Sequence, residues 1–516
     1  MSSPISWFDP TALWSQRCRD ALEQYPEEQL RSVAMRLTGR MLRQDRTAVA
    51  QAIVAAQLNP PLIDRCLRKV RPEVVQLLSV MARCRKPVWE RWQLLAVLAA
   101  LGIPDGSAIL KEALEYGLVF PFSHSAGPAS APVAGGAPGE ETKAPSSFRS
   151  GSSSDLPTLA SPSSMVLQSG EVTPWLEVMG GAVAQIFLHP AVGERVRSRL
   201  LPLPCLDGLK SESDAGQRRD GWDWPLRLAA VWQRVRENPV RLTQEGEFYK
   251  KDIQRLHHDP VFEEGWEGGI TPADAGILAL SVAAATGMLE RQGDSLRAAP
   301  FPACWRMSLP RLLVELFPHL VSVERWDPLL GRRPETASEA GIIPSAGWLI
   351  LLLLAAAPEH AWIDPTDLAA WLWHHHPYWA GVLPPVEAQE GGRGWVERWL
   401  HTIPLPLQMV EIWNKRVRLT PLGRWYFQGA GESELPNLPS FPQTLMVQPK
   451  SSPTAKGYAP PWSRTYLRWL CGSGSGQHAC WNCRNRLCTW PWRGNGHCPK
   501  SSRHCSGTPA IPCLLP

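Results

Sequence analysis

Between residues 11 and 120 apolar positions return every three or four residues between short polar turns, the periodicity of helices packed by one face. Pro26, Glu27 and Glu28 open one predicted helix with acids at its positive dipole end, and Leu30, Val33, Ala34 and Leu37 form its inward stripe. A second runs from Arg46 and Thr47 through Ala50, Ile53, Val54 and Ala55 until Asn59, Pro60 and Pro61 stop it. Pro72 and Glu73 begin a third, with Val75, Leu77, Leu78 and Met81 inward. Further helices are predicted over Trp89 to Leu101 and Ala108 to Glu115. The close at Tyr116, Gly117, Leu118, Val119 and Phe120 places a short apolar strand directly after a helix, as winged-helix units do.

Residues 122 to 172 abandon this pattern for Ser, Gly, Ala and Pro, a composition that buries too little surface to offset its ordering entropy, and are expected to form a disordered linker. A second body is expected from 173 to 449, with a loop over Gly208 to Gly221. It holds an internal echo: Val240-Arg241-Leu242-Thr243 and Val417-Arg418-Leu419-Thr420 each precede a turn and an aromatic segment, Phe248-Tyr249 or Trp425-Tyr426-Phe427. Met409 to Trp413, a turn at Asn414-Lys415, and Arg416 to Thr420 predict a hairpin. Met288 to Arg297 predicts another, preceded by a helix over Pro272 to Thr286. A helix followed by a two-stranded hairpin is the shape with which a winged helix grips a duplex. The fold expected is mainly α, multi-domain, with winged-helix-like units at 11–121 and within 173–449 and small β-hairpins.

Composition refines this picture. The 516 residues are 44% hydrophobic and 20% charged, enough for a buried core. The apolar run from Gly347 to Ala357 is shorter than the roughly 20 residues that span a bilayer, so it reads as a core helix and no membrane association is expected. The start, Met1 to Trp7, has neither a basic segment nor an apolar signal core, and the expected compartment is the cytoplasm. The net charge of +5 is unevenly placed: residues 450–516 carry 9 Lys or Arg and no acid, leaving 44 basic against 48 acidic residues before them. The body is thus mildly acidic, and a nucleic-acid reading from overall charge rests on the tail alone.

Catalytic signatures are missing. There is no G-x-x-x-x-G-K-[ST] loop, G-x-S-x-G elbow or H-E-x-x-H helix, so neither an enzyme nor a cofactor is expected. His374, His375 and His376 are consecutive, which turns helical side chains about 100° apart and disfavours shared metal; they read as a partly exposed helix end. His257 and His258 read as caps at another helix end. The 25 Trp are expected mostly in the core, with Trp348, Trp371 and Trp399 inside apolar helical patterns.

Three readings fit the tail, which holds 7 of the 12 cysteines. Cys480 and Cys483 with Cys488 and Cys498 suggest zinc, although the second C-x-x-C pair of a structural site is missing. A disordered basic tail is another. The favoured reading is a shifted reading frame, because reading Ala479 to Cys483 from the third base of each codon gives an apolar residue and then Leu-Glu-Leu, and amphipathic sequence continues beyond it.

The residues from Leu30 to Phe120 resemble the helical and winged-helix region of bacterial helicase-associated proteins related to the N-terminal domain of XPB-type DNA repair helicases. The stretch from Asn238 to Asp252 is similar to a segment of those proteins, and Phe441 to Pro449 looks like the strand that opens their next domain. The departure begins at Lys450, where the acids disappear. The resemblance implies a non-catalytic accessory protein with double-stranded DNA, or a helicase or other protein, as partner; a protein-protein adaptor and a zinc protein are the rivals. Candidate phosphate contacts are Lys415, Arg416, Arg418 and Arg424 around the second hairpin, and Lys250, Lys251 and Arg255 after the first echo. A solvated basic face is the alternative for these cations.

Overall fold

The computed structural model describes residues 6–103, 105–122, 185–197, 202–210, 216–243, 248–257, 262, 272–324, 326–332, 342–379, 388–429 and 435–438, with short strand pairs at 445–446 and 454–455 and at 477–482 and 486–491. The protein is mainly helical with small antiparallel sheets. Four helices come first: α1 (Thr11–Leu22), α2 (Glu27–Thr38), α3 (Arg46–Gln57) and α4 (Pro60–Leu67). The α2 stripe is buried as its spacing predicts, at Leu30, Val33, Ala34 and Leu37. Gly39 ends α2 in the left-handed conformation (φ 75°) that glycine adopts without steric cost.

Among the described residues the chain then repeats one order of elements three times: helix, strand, helix, helix, and two strands. The first unit is α5 (Pro72–Cys84), β1 (Val88–Glu90), α6 (Arg91–Ala100), α7 (Gly106–Glu115), β2 (Phe120–Phe122) and β3 (Gln185–Phe187), followed by α8 (Pro190–Arg197). A short strand β4 (Leu209–Lys210) precedes the second unit, which is α9 (Asp223–Glu237), β5 (Val240–Arg241), α10 (Lys250–His257), α11 (Ala275–Ala285), β6 (Leu289–Gln292) and β7 (Ser295–Ala298). Helix α12 (Leu309–Val321) and the pair β8 (Trp326–Asp327) and β9 (Gly331–Arg332) follow. The third unit is α13 (Ile342–Ala356), β10 (Ala361–Trp362), α14 (Pro365–His375), α15 (Ala388–Thr402), β11 (Val410–Trp413) and β12 (Arg416–Leu419), closed by α16 (Pro421–Gln428).

The sheets repeat as well as the order. In the first two units the last strand lies between the other two, as β1-β3-β2 and β5-β7-β6. In the third, β12 pairs with β11, and Ile363 directly after β10 exchanges two backbone hydrogen bonds of 2.9 Å with Val417 of β12. β4 extends this sheet beyond β10, and Gln217 bonds to Ile412 on the opposite edge, so residues on either side of 211–215 cover both its edges. Exposed strand edges invite further pairing, and covering them removes that route.

Strands on either side of the segment 122–172, β2 and β3, pair in one sheet, with Phe120 opposite Phe187. Except for Phe122, that segment lies outside the described residues. Trp89 is not helical. It sits in β1 with Pro87 and Val88 before it, and its ring centroid is 5.9 Å from that of Trp348. The echoed segments are not equivalent, because Val240–Arg241 is the first strand of its unit and Arg416–Leu419 the last of its own. What they share is only a β-prone run before a helix.

The apolar run becomes α13, whose Trp348, Leu349, Ile350 and Leu351 are fully buried. Burying such side chains contributes about 1.5–3 kcal/mol each. Core residues of all three units form one continuous cluster. Among the described residues no helix is long and apolar enough to cross a membrane.

Candidate functional site

The hairpin β11–β12 turns through Asn414 (φ 46°) and Lys415 (φ 64°), two consecutive left-handed residues whose twist matches that of the strands. A two-residue turn places Glu411 opposite Arg418. Glu411 is buried, accepts from Arg418 Nε at 2.6 Å, and also accepts from Arg218 Nε. The Arg418 guanidinium lies 4.1 Å from the Trp362 ring centroid. Arg424 donates to the carbonyls of Pro358 (3.0 Å) and Ala357 (3.5 Å) at the end of α13. Both arginines therefore hold the unit together. Lys415 is exposed at the tip, and half-buried Arg416 lies within electrostatic reach of Asp364 and Asp367. Of the four cations nominated on this hairpin, the tip pair remains as the outward-facing part.

In the second unit, Lys250 and Lys251 are the first residues of α10 and are exposed. Arg255, one turn on, donates to Asn238 O at 2.9 Å and lies 3.7 Å from the buried carboxylate of Asp252. Asp252 also accepts from the Arg241 backbone N–H at 3.0 Å. The Asn238 to Asp252 stretch is thus a strand tied to the helix that follows it. The partners of Arg255 thus lie within the second unit.

The third helix of each unit has the polarity of a packing element. In α7, Glu112 holds Arg71 at 2.5 Å and Glu115 holds Arg36 at 2.6 Å, and Lys111 is the helix's one basic residue. Helix α11 contains no charged residue. Helix α15 carries Arg393, bound to Glu397 at 2.8 Å, and Arg398.

The histidines divide. His374 and His375 are exposed, with His375 stacked 4.5 Å from Trp371. His376, read from sequence as part of the exposed end, is instead buried because the chain turns inward after α14; its Nε2 lies 2.8 Å from Ser345 Oγ. His189 is buried as well and His319 half-buried, and burial, joined at His319 by the charge of Lys86, lowers all three to about 4. They are neutral in the fold, whereas an unfolded imidazole binds a proton near 6.5. The unfolded chain therefore takes up more protons as pH falls. Stability contributed by these groups is full above about 6.5 and is lost between about 6.5 and 4, at most about 3 kcal/mol per imidazole. Urea midpoints measured from pH 7.5 to 4.5 should fall, and His376→Asn should flatten that fall; an unchanged pH profile in the variant would contradict the assignment.

No group of His, Cys, Asp and Glu that could hold a metal occurs among the described residues. The backbone places Cys480 opposite Cys488 in a hairpin, but the side chains of both, like Cys483 and Cys498 entirely, lie outside the described residues, as do the His257 side chain and His258. Cys18, Cys66 and Cys84 are buried free thiols, and burial pushes the thiols up, that of Cys304 to about 11. Compared with protein-family models, with curated proteins and with solved structures, the chain matches none.

Proposed function

We propose that the protein is a non-catalytic accessory scaffold of DNA-processing machinery, built from three winged-helix units, whose third hairpin touches duplex DNA through Lys415 and Arg416. The reading is carried by the threefold recurrence of helix-strand-helix-helix-strand-strand with the last strand central, which is the arrangement that gives a winged helix its wing. It is supported by the resemblance of Leu30 to Phe120 and Asn238 to Asp252 to helicase-associated proteins. The third helices have little free positive charge, so groove reading by them is not part of this proposal. The wing contributes phosphate contacts and register. The double variant Lys415→Ala/Arg416→Ala should weaken duplex binding several-fold and lower the salt slope by about 1.8, or 0.9 per phosphate contact. Fluorescence anisotropy with a labelled duplex measures both. Unchanged affinity and slope would remove this wing from the interface.

A second reading, a protein-protein adaptor, is favoured by one observation: α11 is uncharged and α7 is committed to internal ion pairs. Under that reading duplex binding is absent even at low salt.

A further inference from the structure

The second unit presents a feature that the phosphate-contact reading does not use. Tyr249, immediately before α10, is 44% exposed. Its backbone is fixed: Tyr249 N donates to Arg241 O at 3.1 Å, and Phe248 bridges to Leu242. The Arg241 guanidinium lies 5.0 Å from the ring centroid. Buried Asp252 binds the Arg241 main chain and lies 3.5 Å from its guanidinium and 3.7 Å from that of Arg255, so this carboxylate anchors cations instead of facing solvent. Lys250 and Lys251 follow Tyr249 as the first residues of α10, exposed and without an ion pair among the described residues. Strand β7 pairs with β5 and adds exposed Arg297. Among the described residues, the neighbouring hairpin carries the acids Glu290, opposite Arg297, and exposed Asp294 in its turn.

An exposed ring on a hydrogen-bonded backbone, with the Arg241 guanidinium beside it and two exposed lysines next in the chain, matches a nucleotide more closely than a carboxylate-rich peptide. A base supplies a π-face to the ring, and its flanking phosphates meet the lysines. A paired base has its faces occupied by its neighbours in the stack. We infer that Tyr249, with Lys250, Lys251 and Arg241, forms a binding site for single-stranded nucleic acid, in which one unpaired base stacks on the tyrosine ring and adjacent phosphates contact the two lysines. This site rests on reading the protein as a nucleic-acid-associated scaffold, and it adds an unpaired strand to the duplex proposed for the third wing. A protein holding both would sit where a duplex opens.

The test is anisotropy of fluorescein-labelled oligo(dT) with the full chain. Tyr249→Ala should weaken binding about tenfold, the loss expected for one base-aromatic stack, while Tyr249→Phe keeps it within about twofold. Lys250→Ala/Lys251→Ala should lower the salt slope by about 1.4, or 0.7 per phosphate on a single strand. Both replacements lie on the surface, and circular dichroism checks that each variant keeps its fold. Lys415→Ala/Arg416→Ala should leave oligo(dT) affinity unchanged. Wild-type affinity in Tyr249→Ala overturns the inference, as does displacement by poly-glutamate at equal charge concentration, which identifies an acidic-peptide site. Loss of oligo(dT) binding in the third-wing variant alone moves the strand there and sinks this site without touching the scaffold reading; absence of both duplex and single-strand binding sinks that reading itself.

Discussion

Gly423→Ala should destabilise the protein by about 3 kcal/mol, the upper end of what overpacking ordinarily costs. A Cβ at this position would lie 2.1 Å from the carbonyl oxygen of Met409 and 3.0 Å from its carbonyl carbon. These are backbone atoms, so no rotamer change relieves the clash. The same carbonyl accepts the Thr420 N–H at 3.1 Å and thereby closes the hairpin β11–β12. Thr420 in turn caps α16 by accepting from Gly423 N–H at 3.1 Å. One added methyl must therefore separate α16 from the hairpin or open the hairpin at its base. Gly394 provides the control: in α15 a Cβ there meets nothing within 4 Å, so Gly394→Ala should be neutral or stabilise by up to about 1 kcal/mol. Urea unfolding of the two variants followed by tryptophan fluorescence gives the comparison, and equal midpoints would contradict the packing described for α16.

The second large effect is expected at Arg197. Its side chain, 4% exposed, donates to four carbonyls: Ala82 (3.1 Å), Arg83 (3.4 Å), Tyr426 (3.0 Å) and Gly429 (2.7 Å). It thereby joins the end of α5 in the first unit to α16 after the third. Arg85 reaches the same Gly429 carbonyl at 2.6 Å while its guanidinium lies 4.3 Å from the Trp425 ring, and Tyr426 Oη donates to Cys84 O at 2.6 Å. Removing Arg197 takes the donor from the Ala82, Arg83 and Tyr426 carbonyls and leaves Gly429 with Arg85 alone, a loss of about 3–5 kcal/mol for a broken buried charged network. One term opposes this. Burial, with Arg197 second, lowers the Arg85 guanidinium to about 9, so deleting a neighbouring cation relieves repulsion. Four hydrogen bonds outweigh one relieved repulsion at this distance from solvent, and the net expectation for Arg197→Ala is a loss of about 3 kcal/mol. Arg197→Lys, which cannot span four carbonyls with one planar fork, should recover little of it. Stability equal to wild type in Arg197→Ala would show that the first and last units are not joined through this residue.

Local elements were legible in the sequence, and pairings over distance were not. The α2 stripe and the two hairpins follow from periodicities of 3.6 and 2 confined to a few residues. The first sheet was hidden because its central strand, Gln185–Phe187, lies far along the chain from β2, and because β1 is three residues long and runs straight into α6. The echo misled for a related reason, since similar residues serve as first strand in one unit and last strand in another. At the candidate site, basic residues were visible but their commitments were not. The turn at Asn414-Lys415 does imply that Glu411 faces Arg418, a signal present in the sequence; the burial of Glu411 and the carbonyls that hold Arg424 come from tertiary packing. Tyr249 was visible only as an aromatic beside the echo, and its exposure and its Arg241 neighbour required the fold.

The proposed contact of the β11–β12 hairpin with nucleic acid is tested most directly by the salt dependence of duplex binding by the intact chain, followed by anisotropy alongside Lys415→Ala/Arg416→Ala. Binding at low salt, a negative slope of log affinity against log salt, and a shallower slope in the variant are expected. No duplex binding at low salt, or a slope that the variant leaves unchanged, would contradict it.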